Sequence, residues 1–174
     1  MDILVQAFFT ETLVRWLYPD DQHYLTAMPS IFNCYVDDAI NNSAGYTSEE
    51  LDGLLIYSEP DMPISSAKRI ELHGKYLSKE KMQSIYNYAE EIGKMCTGKD
   101  WCYLNIGAVH PEAQGKGVGS RLLIKKIQEL KDLKYLSISL DTTGEAKRKG
   151  YEKFGFKVMK ERYITDKDKT YLNK

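Results

Sequence analysis

From Tyr24 to Ile40 the apolar positions Tyr24, Ala27, Met28, Ile31, Phe32, Tyr35, Val36, Ala39 and Ile40 keep three- and four-residue spacing. That period predicts an amphipathic helix from His23 to about Asn42, with Pro29 expected to trim or kink its first turn. Ahead of it, Ile3 to Leu17 reads as one helix that turns Leu4, Ala7, Phe8 and Leu13 to a core and stops at Tyr18-Pro19. Gly45 to Thr47 and Leu51 to Tyr57 read as two short antiparallel strands. Ser65 to Gly98 reads as two helices interrupted near Gly74 to Ser78, and Trp101 to Val109 as a strand. Val118, Leu122, Leu123, Ile127 and Leu130 then form a helical stripe, followed by a buried strand from Tyr135 to Leu140. Glu145 to Phe154 is a helix with Gly155 suited to its left-handed cap; Phe156 to Thr165 is a long strand and Thr170 to Lys174 a short candidate. The order predicts an α/β layer fold.

Composition narrows the setting. A chain of 174 residues can enclose one full core but not two comfortable ones. The net charge of −1 gives no global reason to expect nucleic acid or an anionic membrane as partner. Cys34, Cys96 and Cys102 are widely spaced and form no metal or redox motif, so they read as free thiols. The sequence has no membrane-length apolar run and no secretory leader pattern, and a cytoplasmic protein is the expectation.

The chemistry concentrates in Leu104 to Leu123, where an apolar strand passes through a turn and alternating glycines directly into a helix. Gly115, Gly117 and Gly119 leave backbone N–H groups uncovered at a helix start, where the dipole is positive and the first N–H groups lack partners. A Walker loop would need Ser or Thr after Lys116, and a dinucleotide fingerprint would need Gly-x-Gly-x-x-Gly early in the chain; neither fits. Gln114-Gly-Lys-Gly-Val-Gly119 instead matches the Gln/Arg-x-x-Gly-x-Gly/Ala signature of the GNAT superfamily of acyl-CoA N-acyltransferases. Gly150-Tyr-Glu-Lys-Phe-Gly-Phe156 resembles that family's second block, and together they cover roughly 101–164. The first half broadly resembles the branch that includes puromycin N-acetyltransferase.

The resemblance implies a GNAT-like α/β fold over 1–174 as a single domain: a central, mixed, mostly antiparallel sheet, splayed at the acyl-CoA site and flanked by helices. The helices at about 65–98 fall where family members carry insertions. Family members usually open with a strand, for which Met1-Asp2 leaves no room, and usually end with one. The implied activity is acetyl transfer from acetyl-CoA to a primary amine by direct attack, without a metal. Gly107, Ala108 and Val109 would pair with the pantetheine arm through backbone groups, and the Val109 N–H would face the thioester oxygen. Gln114, Gly115, Lys116, Gly117, Val118, Gly119 and Ser120 would hold the diphosphate, and Lys147 would face the cofactor. Tyr151 would protonate the leaving thiolate.

A base is harder to read. Tyr103 and Asn105, where some relatives carry a carboxylate, cannot accept a proton as one would, and Asp141 is the fallback beside a water chain. His110 reads as local turn structure. Trp16, Tyr18, Asp20, Asp21, Tyr35, Tyr46, Tyr86 and Tyr88 are candidates for an acceptor pocket. The acceptor is expected to be a small-molecule amine or a protein amine, and the oligomeric state stays open, a homodimer included. The alternative is an acyl-CoA-binding sensor of the same fold without turnover.

Overall fold

The longest helix, α3 (Asp21–Asn42), begins at Asp20, whose carboxylate accepts the His23 N–H at 2.8 Å. The computed structural model describes residues 2–60, 62, 66–96, 99–135, 137–163 and 169–173. Pro29 leaves the Leu25 carbonyl without its helical donor, but Leu25 is exposed and water can serve it. The helix therefore runs through Pro29 instead of being trimmed there. The expected helix over Ile3 to Leu17 is in fact two, α1 (Asp2–Ala7) and α2 (Thr12–Leu17). Glu11 divides them: its Oε2 accepts the Leu13 and Val14 N–H groups at 2.8 and 3.1 Å and starts a new helix.

β1 (Gly45–Thr47) and β2 (Gly53–Ser58) follow, then α4 (Ser66–Tyr76) and α5 (Lys79–Met95) in the expected helical stretch. β3 (Trp101–Val109) leads through a single turn of 3-10 helix into α6 (Val118–Asp132). β4 (Ser137–Thr143), α7 (Glu145–Glu152), β5 (Val158–Tyr163) and β6 (Lys169–Asn173) complete the chain. The Tyr135 strand thus starts two residues late, and α7 ends two residues before Phe154. Part of the expected final strand, 164–165, lies outside the described residues. Among the described residues no strand precedes α1.

The sheet order is β1-β2-β3-β4-β6-β5, with β3 and β4 parallel and every other pair antiparallel. α6 covers one face over Leu55, Cys102, Leu104 and Leu140, and α1 and α3 cover the other over Ile56, Ile106 and Ala108.

Strict alternation would put Leu104 and Ile106 on one face. They lie on opposite faces because Ile56 pairs with Ile106 while Tyr57 pairs with Leu104, which leaves Asn105 as an extra residue in β3. This β-bulge bends the strand. It falls where β3 loses β4, since their pairing ends at Leu104 and Leu140. Beyond that point β4 continues against β6, and β3 continues against β2 alone. The sheet therefore opens between β3 and β4 from Asn105 onward.

Candidate active site

The opening is lined by backbone. Gly107 lies in the middle of a central strand yet is exposed, because no strand covers its β4-side edge. A Cβ built there would lie 3.8 Å from the Tyr151 hydroxyl and 3.7 Å from Leu55 Cδ1. Tyr151, carried by α7 and held edge-on against Phe156 at 5.7 Å, thus sets its hydroxyl over bare main chain on the face that α6 covers. Burial pushes the Tyr151 phenol up, and the Asp141 carboxylate adds to the rise.

The glycine loop stands at the far end of the same groove. Gly115 and Gly117 have φ of +76° and +80°, left-handed values that side chains adopt at a cost. Gly117 is the N-cap of α6, and no side chain caps the helix there. Residues 114–117, 119 and 120 are exposed, so the first N–H groups of a 15-residue helix open to solvent. Gly119 brings α6 against β3: a Cβ there would meet Val109 Cγ2 at 3.3 Å. Gln114 Nε2 donates to the Val109 carbonyl at 3.1 Å, and Arg121 donates to the Lys116 carbonyl at 3.0 Å. These two side chains shape the loop, and Val118 turns inward to the core. The exposed backbone donors and the open strand edge suit an extended diphosphate-bearing ligand such as acetyl-CoA.

The opposite face is chemically different. Asp141 is the first β4 residue past the last β3 pair, and the Tyr103 hydroxyl donates to its Oδ1. The buried Tyr88 hydroxyl of α5 is turned to the same carboxylate but makes no hydrogen bond of full geometry. Tyr35 of α3 stands beside this group, with the Arg69 guanidinium 4.3 Å over its ring. Burial pushes the Asp141 carboxyl above the usual range; the Tyr103 and Tyr88 hydroxyls oppose this, and Glu11 adds to it. Burial likewise raises Tyr103, Tyr88 and Tyr35. Tyr35 also lines a small cavity between α3, α4, β2 and β3, together with Asp38, Ser58, Arg69 and Asn105.

Other expected residues have local duties. Lys147 lies 3.6 Å from Glu11, whose Oε1 also accepts the Thr143 hydroxyl. Asn105 donates to Ser58 Oγ at 2.7 Å, at the bulge. His110 Nδ1 accepts the Glu112 N–H at 3.4 Å and caps the turn. Of the acceptor-pocket candidates, Tyr35 and Tyr88 reach the Asp141 group. Tyr18 pairs with His73 at 2.7 Å, Asp20 caps α3 and Asp21 pairs with Arg15. Tyr46 packs on Tyr57, Trp16 receives Lys81, and Tyr86 is exposed. Tyr103 is the participant that sequence reasoning set aside, because its role depends on a partner 38 residues away.

Comparison with known proteins agrees with this fold. The family model described as "Acetyltransferase (GNAT) domain" matches residues 83–158. No match is found among curated proteins. Among 38 matching solved chains, one is described as histone acetyltransferase HPA2 and related acetyltransferase from Corynebacterium glutamicum. It is 21% identical with a TM-score of 0.66, covering 99% of this chain and 87% of that one. Arylalkylamine N-acetyltransferase 2 from Aedes aegypti is 14% identical with a TM-score of 0.61, over 98% and 89%. PaiA N-acetyltransferase from Thermoplasma acidophilum, in complex with coenzyme A, is 12% identical with a TM-score of 0.56, over 99% and 88%.

Proposed function

Because residues 83–158 match the model of a GNAT acetyltransferase domain, we propose that the chain transfers an acetyl group from acetyl-CoA to a primary amine by direct attack. The observation that carries this reading is the exposed Gly107 backbone between the Tyr151 hydroxyl and the open N-terminus of α6. The cosubstrate supplies an activated acetyl thioester; the chain supplies donors, a proton source and a base.

Gly107, Ala108 and Val109 offer main-chain groups to an amide-bearing arm, and the loop from Gln114 to Ser120 takes the diphosphate through N–H groups, with Lys116 adding charge. The Val109 N–H serves the thioester oxygen. A donor placed for a developing oxyanion lowers a barrier by roughly 3–4 kcal/mol. Tyr151 gives its proton to the leaving sulfur. Phenol and thiol start near about 10 and 8.5, so that transfer is uphill by roughly 2 kcal/mol, and burial of Tyr151 steepens it. The proton therefore moves as charge builds on sulfur, not before.

Asp141 is the base. Its carboxyl, raised by burial, has more affinity for a proton than an exposed aspartate has. Lys147 faces Glu11 and has room to swing to a phosphate, since its side chain is 55% exposed.

The arylalkylamine neighbour's acceptor, an amine, fits this reading, although that likeness supports the fold alone. Thiol release from acetyl-CoA across a panel of primary amines tests the proposal. Turnover with at least one amine, lost in Tyr151→Phe with acetyl-CoA binding retained, is the expected result. Binding of acetyl-CoA without turnover on any amine would identify a sensor instead.

A further inference from the structure

In a regular strand successive N–H groups point to alternate edges, so one extra residue reverses every N–H beyond it. The bulge at Asn105 does this to β3. The Tyr57 N–H donates to the Ala44 carbonyl beside β1, so the N–H groups of its neighbours Ile56 and Ser58 face β3. Their partners Ile106 and Tyr103 are therefore the residues whose own N–H groups face β2. At the far end the His110 N–H donates to the Asp52 carbonyl at 2.7 Å, in phase with Ile106 and Ala108. Gly107 and Val109 thus aim their N–H groups at the open edge. Counted from Tyr103 without an extra residue, the same two groups would face β2.

A polar side chain holds the extra residue in place. Asn105 and Ile106 turn to the same side of the sheet: Ile106 packs in the core under α3, and Asn105 lines the small cavity beside it. Asn105 Nδ2 donates to Ser58 Oγ at 2.7 Å, and Ser58 is buried in β2 opposite Tyr103. The bond ties the bulged residue to the partner strand on the near side of the bulge. The Ile56–Ile106 pair holds the far side.

Resting on the acetyl-transfer reading, we propose that Asn105 and Ser58 are positioning residues for the cofactor. Their hydrogen bond keeps β3 in the bulged register that presents the Gly107 and Val109 N–H groups to acetyl-CoA. Neither side chain needs to touch the ligand. Without the bond, a bulge-free register gains population, in which those N–H groups pair with β2 and the edge presents Ala108 and His110. Burial of Ile106 and Ala108 on the α3 side favours the bulged register, so the fold survives the loss. Acetyl-CoA binds only the bulged fraction, so its apparent affinity falls with that fraction while bound molecules turn over normally.

The test uses the full chain and compares Asn105→Ala, Ser58→Ala and Ser58→Thr, the last of which keeps the acceptor oxygen. Calorimetry with acetyl-CoA, steady-state kinetics and amide exchange by NMR are the readouts. Both alanine variants should raise the dissociation constant and KM for acetyl-CoA about three- to tenfold, the worth of one hydrogen bond, with kcat unchanged. In the ligand-free wild type the Ala108 and His110 amides should exchange slowly and those of Gly107 and Val109 fast. The alanine variants should narrow that contrast, and Ser58→Thr should keep it. Alanine variants that only lower the urea midpoint, with affinity, KM and exchange contrast as in the wild type, would overturn the assignment. So would a Ser58→Thr variant as impaired as Ser58→Ala. Exchange is read without ligand: if the contrast narrows as expected but the wild type fails to bind acetyl-CoA, the acetyl-transfer reading falls and the hold of the hydrogen bond on the register stands.

Discussion

Tyr151 and Asp141 stand on opposite faces of one opening, and each makes a separable prediction. Tyr151→Phe removes a proton donor but keeps the ring that packs on Phe156. Turnover should fall by about 10²–10⁴-fold with acetyl-CoA affinity unchanged, measured by thiol release and by calorimetry. Asp141 predicts a pH dependence. Its folded carboxyl is raised above the unfolded value of about 3.9, so the fold holds the proton more tightly than the open chain does. That contribution is fully present below about pH 4 and lost as pH rises through the raised folded value. Wild type and Asp141→Asn should therefore have similar stability near pH 3.5, and the variant should pull ahead toward pH 7, by denaturant melts at each pH. The motif alone singles out Tyr151 as a candidate. No motif singles out Tyr103, because a phenol gains its meaning from the carboxylate that it touches, and that contact is a product of the parallel register of β3 on β4.

At the scale of elements, the approach of α6 to the sheet sets the groove. Gly53 of β2 sits under its first turn, where an added Cβ would lie 2.5 Å from Val118 Cγ1. Gly53→Ala should cost about 1–3 kcal/mol by overpacking and should weaken acetyl-CoA binding by displacing the helix start, measured by urea melts and by calorimetry. Helices and strands with a clean period, such as α3, β3 and α6, were readable from spacing. What escaped the pattern was local competition. Glu11 caps a second helix where the apolar period alone would run on, and the bulge at Asn105 turns one apolar run into two faces. A bulge has no period, so only the pairing of two distant strands reveals it.

Over the whole molecule, a buried ion pair ties α6 to the end of β2. Lys126 of α6 is fully buried, with Nζ 2.6 Å from Glu59 just past β2 and 3.5 Å above the Tyr57 ring. Glu59→Gln would leave that ammonium with only the more exposed Glu129, at 3.6 Å, as its carboxylate and should cost about 3 kcal/mol, seen as a lower midpoint in urea. Helical spacing alone does not mark Lys126 as buried, because its burial is decided by a partner 67 residues away.

The central claim is that the open β3 edge and the uncapped start of α6 hold acetyl-CoA. Thermal unfolding with and without acetyl-CoA tests it most directly. Ligand at about a hundred times its dissociation constant should stabilise the fold by roughly 2.7 kcal/mol and raise the melting temperature by several degrees. An unchanged melting temperature at millimolar acetyl-CoA would contradict it.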